Sequence, residues 1–265
     1  MAIKKELTYT SYLKVEELLK LQELQSKPEE HDEMLFIIIH QSYEIWFKQI
    51  LFELDYLKKL IEADDLVTAQ KTMKRVLTIL KVLVHKVDIL ETMTPTDFLS
   101  FRDYLESASG FQSYQFRELE FLLGHKRERI LNMFGEGSEE RKAVEKRYKE
   151  KSLWVIFLEF LKRKNYNIPE EVLNKEISEP TEPNEAVQKI FMEIYKSDSL
   201  TTQFCELLLD FDEGLQEWRY RHIKMVERTI GSKQGTGGSP GVEYLKKTLF
   251  TPAFPDLWLI RSELK

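Results

Sequence analysis

The chain has 265 residues, 42% of them hydrophobic and 32% charged, with a formal net charge of −6. Such a length allows one large domain or two small ones and a sizeable core. An acidic balance without a standing Lys/Arg cluster excludes the electrostatic footprint of a nucleic-acid binder, and one cysteine, Cys205, excludes an intramolecular disulfide and a multi-cysteine zinc site.

In chain order, the first stretch, MAIKKELTYTSY, has no apolar h-region, and no run of about 18 apolar residues follows anywhere. Neither a secretory signal nor a membrane span is expected, and a cytoplasmic location is the default. The apolar pattern from Asp32 to Ile61 predicts a long helix with Asp32 as a candidate N-cap. Within it, FIIIHQSYEIWFKQI places His40 on one face with Phe36, Tyr43 and Phe47. Two readings stand for His40: a core histidine bonded to a neighbouring carbonyl, or a histidine facing a cavity lined by aromatics. Leu66, Ala69, Met73, Val76, Leu80, Leu83, Val87 and Leu90 recur at alternating spacings of 3 and 4, an amphipathic helix with a coiled-coil-like seam. His85 falls off that seam and reads as surface.

Next, FLSFRDYLESASGFQS sets Arg102 among Phe98, Phe101 and Phe111. An arginine there is either solvated or paired with an acid such as Asp103 or Glu106. Alternatively it presents its planar fork to a substrate carboxylate. Ser138 to Lys164 reads as one helix, charged at its start and apolar at its end. Asn165 to Asn184 holds Pro169, Pro180 and Pro183 among acidic residues and reads as an exposed linker or insertion. A further helix is predicted from about Leu200 to Ile230. It carries His222 beside Arg219, Arg221 and Lys224, either as an exposed histidine on a basic turn or as a neutral imidazole ligand, the commonest for haem iron.

The segment 231–241, GSKQGTGGSPG, has five glycines in eleven residues. So much glycine loses chain entropy on ordering, so the loop is either disordered or shaped by what it binds. Its literal G-x-S-x-G is not a nucleophile elbow, because a long helix precedes it and no parallel sheet is in prospect. Pro240 breaks GxGxxG, and the GK[ST] of a Walker A loop is missing. The five histidines, His31, His40, His85, His125 and His222, form no HExxH and end no ExxH, against zincins and di-iron carboxylate bundles. Strand-like alternation and internal repeats are lacking. A single all-α domain over residues 1–265 is expected, a bundle of long helices.

Beyond these patterns, LTYTSYLKVEELLKLQ (7–22), HDEMLFIIIHQSYEIWFKQILFELD (31–55), ILETMTPTDFLSFRDYLESASGFQSYQFRELE (89–120), WRYRHIKMVERTIGSKQGTGGSPGVEYL (218–245) and LFTPAFPDLWLIRSEL (249–264) stand in an order that closely resembles the tryptophan 2,3-dioxygenase family. The resemblance runs nearly full length and is weakest over Asn165–Asn184. It implies an all-helical homotetramer with one haem b per subunit, active as Fe(II), and a haem pocket closed by the Gly-rich loop. The implied reaction inserts both atoms of O2 into L-tryptophan to give N-formyl-L-kynurenine, the first step of the kynurenine route. A haem-dependent aromatic amino-acid hydroxylase of the same fold is the alternative.

Carried over by position, the resemblance makes His222 the axial iron ligand and His40 the distal residue that accepts the indole N–H. It makes Arg102 the grip on the substrate carboxylate, and Thr236 the loop residue that meets the ammonium and carboxylate. Phe36, Phe98 and Leu105 are implied pocket walls, and Ser109 lies near the haem. Tyr9 and Tyr12, on an N-terminal arm of residues 1–15, are implied to reach a neighbouring subunit's site. Trp218, Arg117 and Tyr244 match the surroundings of the haem propionates. Residues 231–241 are the implied active-site loop, and neither nucleic acid nor membrane is implied as a partner.

Overall fold

The computed structural model describes residues 6–231, 233, 235, 242–246 and 248–264, and no strand occurs among them. The helices are α1 (Tyr9–Leu13), α2 (Val15–Leu18), α3 (His31–Glu62), α4 (Leu66–Leu90), α5 (Pro95–Phe101), α6 (Tyr114–Leu122), α7 (Glu139–Lys149), α8 (Leu153–Arg163), α9 (Glu170–Leu173), α10 (Glu185–Ser197), α11 (Ser199–Ile230), α12 (Val242–Lys246) and α13 (Pro255–Leu259). Short 3-10 turns follow α5 (Arg102–Leu105) and precede α6 (Gly110–Gln112).

Helix α4 forms where its seam predicts, and all eight seam residues are buried. It packs between α3 and α11, the two longest helices. At the α4–α11 crossing Gly214 leaves so little room that a Cβ there would stand 2.9 Å from Leu80 Cδ2. The main core lies around these helices together with α6, α8 and α10. A smaller apolar cluster of Ile39, Val87, Leu90, Met93, Phe98, Phe101 and Met225 joins the N-terminal half of α3, the end of α4, α5 and the last turns of α11. This second cluster lies where the functional side chains gather.

Two boundaries differ from expectation. Helix α3 starts at His31, with Glu30 at the N-cap and Asp32 inside the first turn. No side chain caps its first turn; a relay ties the incoming chain to it instead, in which Glu33 accepts from Gln25 N, Ser26 N and Ser26 Oγ, and Ser26 Oγ accepts from Glu30 N. The expected helix 138–164 is two helices, broken at Glu150, whose backbone is extended. Ser138 and Ser152 each cap the helix that follows. Lys126 Nζ takes the carbonyls of Tyr148 and Glu150, and Arg147 is held by Asp55 and Glu150, so the loose ends at the break are satisfied. The 165–184 segment is not wholly linker, since it carries α9, and Ile168 is buried in the main core.

Asp212 fixes the return of the chain after α12. This buried carboxylate on α11 accepts from Ala253 N (2.9 Å), Phe254 N (3.3 Å) and Trp258 Nε1 (2.9 Å), which seats the C-terminal segment on α11. No helix among the described residues is long and apolar enough to cross a membrane.

Candidate active site

A cavity of about 240 Å3 opens between α3, α5, α6 and α11. Its walls are mostly apolar, with Phe36, Phe47, Phe98, Met93 and Val226 among them, and two histidines, His40 and His222, face it from different helices.

The expected face of α3 is the one that lines it: Phe36, His40, Tyr43 and Phe47 all border the cavity. Both readings of His40 hold at once. Its Nδ1 lies 2.7 Å from the carbonyl of Phe36, and its ring lies over that of Phe36 with 4.0 Å between centroids. Burial pushes the imidazole below its usual range, against the Phe36 carbonyl and the Glu44 carboxylate, so it is neutral near pH 7. A carbonyl can only accept, so Nδ1 carries the proton and Nε2 is left as an acceptor.

His222 lies on α11 and is not an exposed histidine on a basic turn. Burial, with His40 and Arg117 nearby, pushes its imidazole down to about 4. The ring stacks on Trp218, one turn back, at 5.3 Å and 11°. It has no hydrogen-bond partner among the described residues. Trp218 is itself packed edge-on against Phe47 and Tyr43 and tilted on Phe116, which fixes its plane and so the plane of His222. Tyr43 is anchored in turn by its hydroxyl, which donates to Leu83 O at 2.8 Å.

The opposite rim is built by serine caps. In the stretch SGFQS, Ser109 Oγ accepts from Phe111 N, and Ser113 Oγ accepts from Phe116 N to start α6. Ser109 and Ser113 therefore border the cavity while doing local backbone work. Arg102 stands at the end of α5, which Thr94 opens with a capping box and Pro95 at its first position. Arg102 borders the cavity, and the acids beside it, Asp103 and Glu106, are exposed.

Three guanidiniums meet at Glu120. Its Oε2 accepts from Arg117 (2.6 Å) and Arg127 (2.8 Å), and its Oε1 from Arg219 (3.2 Å). Desolvation raises this carboxyl, but the three arginines outweigh it and hold it at about 2. Arg117 also donates through Nε to Phe111 O, and Arg219 through Nη1 to Thr248 O. Arg117, Glu120 and Arg219 all border the cavity.

Of the residues picked from the sequence, Phe36, His40, Phe98, Arg102, Ser109, Arg117, Trp218 and His222 come together around one cavity. Leu105 packs against the cluster of Phe98 and Phe101 instead of lining the cavity. Tyr9 and Tyr12 are 78% and 72% exposed and do not border it within this chain. Thr236 lies outside the described residues, as does the side chain of Tyr244. Glu120 and Arg219 were not anticipated. The three-residue step from Arg117 to Glu120 was the one local signal, since that spacing joins side chains on a helix; Arg219 is 99 residues away.

The cavity suits a haem. A neutral imidazole with no other hydrogen bond offers a lone pair to a metal. No group of three or more His, Cys, Asp or Glu able to hold a metal occurs among the described residues. Flat aromatic walls and buried guanidiniums suit the ring and its carboxylates.

The comparisons agree. The family model described as tryptophan 2,3-dioxygenase matches residues 2–144 and 185–264. A tryptophan 2,3-dioxygenase of Herpetosiphon aurantiacus is 55% identical over 259 residues, covering 97% of this chain and 98% of its own. One from Anaeromyxobacter sp. strain K is 49% identical over 258 residues, covering 97% and 96%. One from Bacillus thuringiensis subsp. konkukian is 40% identical over 264 residues, covering 98% and 94%. With likeness at this level along nearly the whole chain, the protein belongs to the tryptophan 2,3-dioxygenase family.

Proposed function

We propose that this chain catalyses the haem-dependent insertion of both atoms of O2 across the indole 2,3 double bond of L-tryptophan, giving N-formyl-L-kynurenine and opening tryptophan catabolism by the kynurenine route. The observation that carries the reading is the pairing of His40 and His222 across one aromatic-walled cavity, both neutral and each with a ring nitrogen to offer. Bound haem b, one per chain and ferrous when active, supplies the activation of triplet O2 that no side chain can supply. His222 would hold the iron, with Trp218 fixing the ring plane.

The remaining roles belong to the chain's own residues. The Nε2 of His40 accepts the indole N–H and so sets the substrate's orientation, while its Nδ1–H stays on Phe36 O. Phe36 and Phe98 enclose the indole and exclude water. A zwitterion in such walls needs both of its charges paired. Arg102 takes the carboxylate with its two-pronged donor face, and Thr236, from the Gly-rich loop, meets the ammonium and carboxylate from the other side. Tyr9 and Tyr12 complete the site from a neighbouring subunit of a homotetramer.

Replacing His222 with alanine tests the reading. The variant should purify with little haem, and added imidazole should partly restore the ferric spectrum. Normal haem content with an unchanged spectrum would overturn it.

A further inference from the structure

Among the described residues two acids border the cavity, Glu120 and Glu44, and they are held differently. Three guanidiniums surround Glu120. Glu44 forms no ion pair among the described residues; its partner is the neutral amide of Gln115. Gln115 Nε2 donates to Glu44 Oε2 and to Glu44 O, both at 2.9 Å. The first turn of α6 therefore grips both the side chain and the backbone of one turn of α3. A neutral amide fixes the carboxylate without cancelling its charge.

Glu44 stands one turn beyond His40 on α3. Side chains four apart on a helix share a face, and each leans toward the helix N-terminus, so Glu44 leans over the turn that carries His40. No hydrogen bond joins the two among the described residues, so the carboxylate acts on the ring through its field. That field is screened less at a partly buried site than in water. Since Nδ1 is already committed to Phe36 O, the negative charge makes Nε2 the more basic nitrogen end of the ring. The titration of the imidazole agrees in direction: burial pushes it down, and the Phe36 carbonyl and Glu44 push it up. Nothing else around the cavity offers this. Arg102, Arg117 and Arg219 are cations, His222 is neutral, Glu120 is offset by its arginines, and the Tyr43 hydroxyl is spent on Leu83 O. The α4 residues on the wall, Val87 and Leu90, carry no charge.

We propose that Glu44, clamped by Gln115, is a positioning residue for His40: its charge makes Nε2 a stronger acceptor for the indole N–H of the substrate. The proposal rests on the reading of His40 in the preceding subsection and adds the pair that supports it. It follows that the effect of Glu44 reaches substrates with a ring N–H and passes over those whose ring nitrogen carries a methyl group.

The test uses the full chain, haem-loaded and reduced without O2, titrated near pH 7 in parallel with L-tryptophan and 1-methyl-tryptophan. The readout is the shift of the Soret band on binding. A whole neutral hydrogen bond is worth about 2- to 12-fold in affinity, so weakening one should cost less. Glu44→Gln removes the charge while its amide oxygen can still accept from Gln115. This variant should bind tryptophan about two- to fivefold more weakly and 1-methyl-tryptophan as the parent does. Glu44→Asp, which keeps the charge on a shorter arm, should recover part of the loss. If Glu44 only ties α3 to α6, Glu44→Gln leaves both affinities unchanged or lowers them alike, which overturns the proposal. Should that variant fail to load haem, Gln115→Ala decides, since it frees the carboxylate from its clamp. A smaller loss for tryptophan alone is then expected, and an unchanged ratio of the two affinities overturns the proposal equally. A preference for tryptophan that survives His40→Ala undiminished defeats the reading of His40 itself, and the proposal with it, a result distinct from the others.

Discussion

At His40, the donor of one ring nitrogen is committed to Phe36 O, and this decides what the other can do. A neutral hydrogen bond contributes about 0.5–1.5 kcal/mol. His40→Ala should therefore keep its haem and lose only about 2- to 12-fold in kcat/KM for tryptophan. With 1-methyl-tryptophan, which has no indole N–H to donate, the loss should be smaller; equal losses for both substrates would count against the contact. Arg102 is tested by charge. Arg102→Leu leaves a substrate anion unpaired among apolar walls, a loss of about 3–5 kcal/mol, so kcat/KM should drop by roughly 10² to 10³ or more, and Arg102→Lys should drop less. Tryptamine, lacking the carboxylate, should be poor for the parent and no poorer for the leucine variant. If Arg102 instead holds the fold, the leucine variant loses melting temperature, haem and activity on every substrate together. His125 gives a pH prediction. Burial, aided by Arg219, pushes its imidazole down to about 4, and its Nε2 has no partner among the described residues. Between about 6.5 and about 4 the unfolded chain binds the proton and the folded chain does not, so stability falls as pH drops through that window. The haem-free parent should melt lower at pH 5 than at pH 7, and His125→Met should lose less on the same change. Identical losses would show that His125 does not contribute.

Among the elements, α4 was legible in full because a single period governs a helix buried along one stripe. The break at Glu150 was not. No Pro or Gly stands between Ser138 and Lys164 to mark it; the first helix stops because Lys126, 24 residues away, takes the carbonyls at its end, and Ser152 starts a new one. The site was legible in the same uneven way. His40, Arg102 and His222 each stood out as residues of odd type for their surroundings, and the family resemblance gave them roles. Glu120 and Arg219 did not stand out, since their partnership joins α6 to α11 and leaves no local pattern. Gly214 carries a test of the α4–α11 crossing. Filling that position with a leucine side chain, Gly214→Leu, should destabilise the protein by about 1–3 kcal/mol, as overpacking does, seen as a lower urea midpoint. An unchanged midpoint would mean the helices can separate freely.

For the molecule as a whole, the N-terminal arm is the part that a single chain does not explain. Leu7, Tyr9, Tyr12, Leu19 and Leu21 are all more than 60% exposed, and α1 and α2 have no buried residue. An arm of this composition is suited to cover by another subunit. Deleting residues 1–12 should lower activity while haem stays bound. Subunit-exchanged mixtures of that deletion with Arg102→Leu should exceed the sum of their separate activities, because some sites then carry both intact parts. Mixtures that never exceed the sum would rule out action in trans. The central claim, that the cavity serves a dioxygenase, concerns the fate of O2 and is tested on the product. Reduced, haem-loaded protein is given L-tryptophan and isotopically heavy O2, and the product mass is read. Two heavy oxygen atoms in one product molecule, at the mass of N-formylkynurenine, are expected; a single heavy oxygen on an intact indole ring would contradict the account and mark the chain as a hydroxylase.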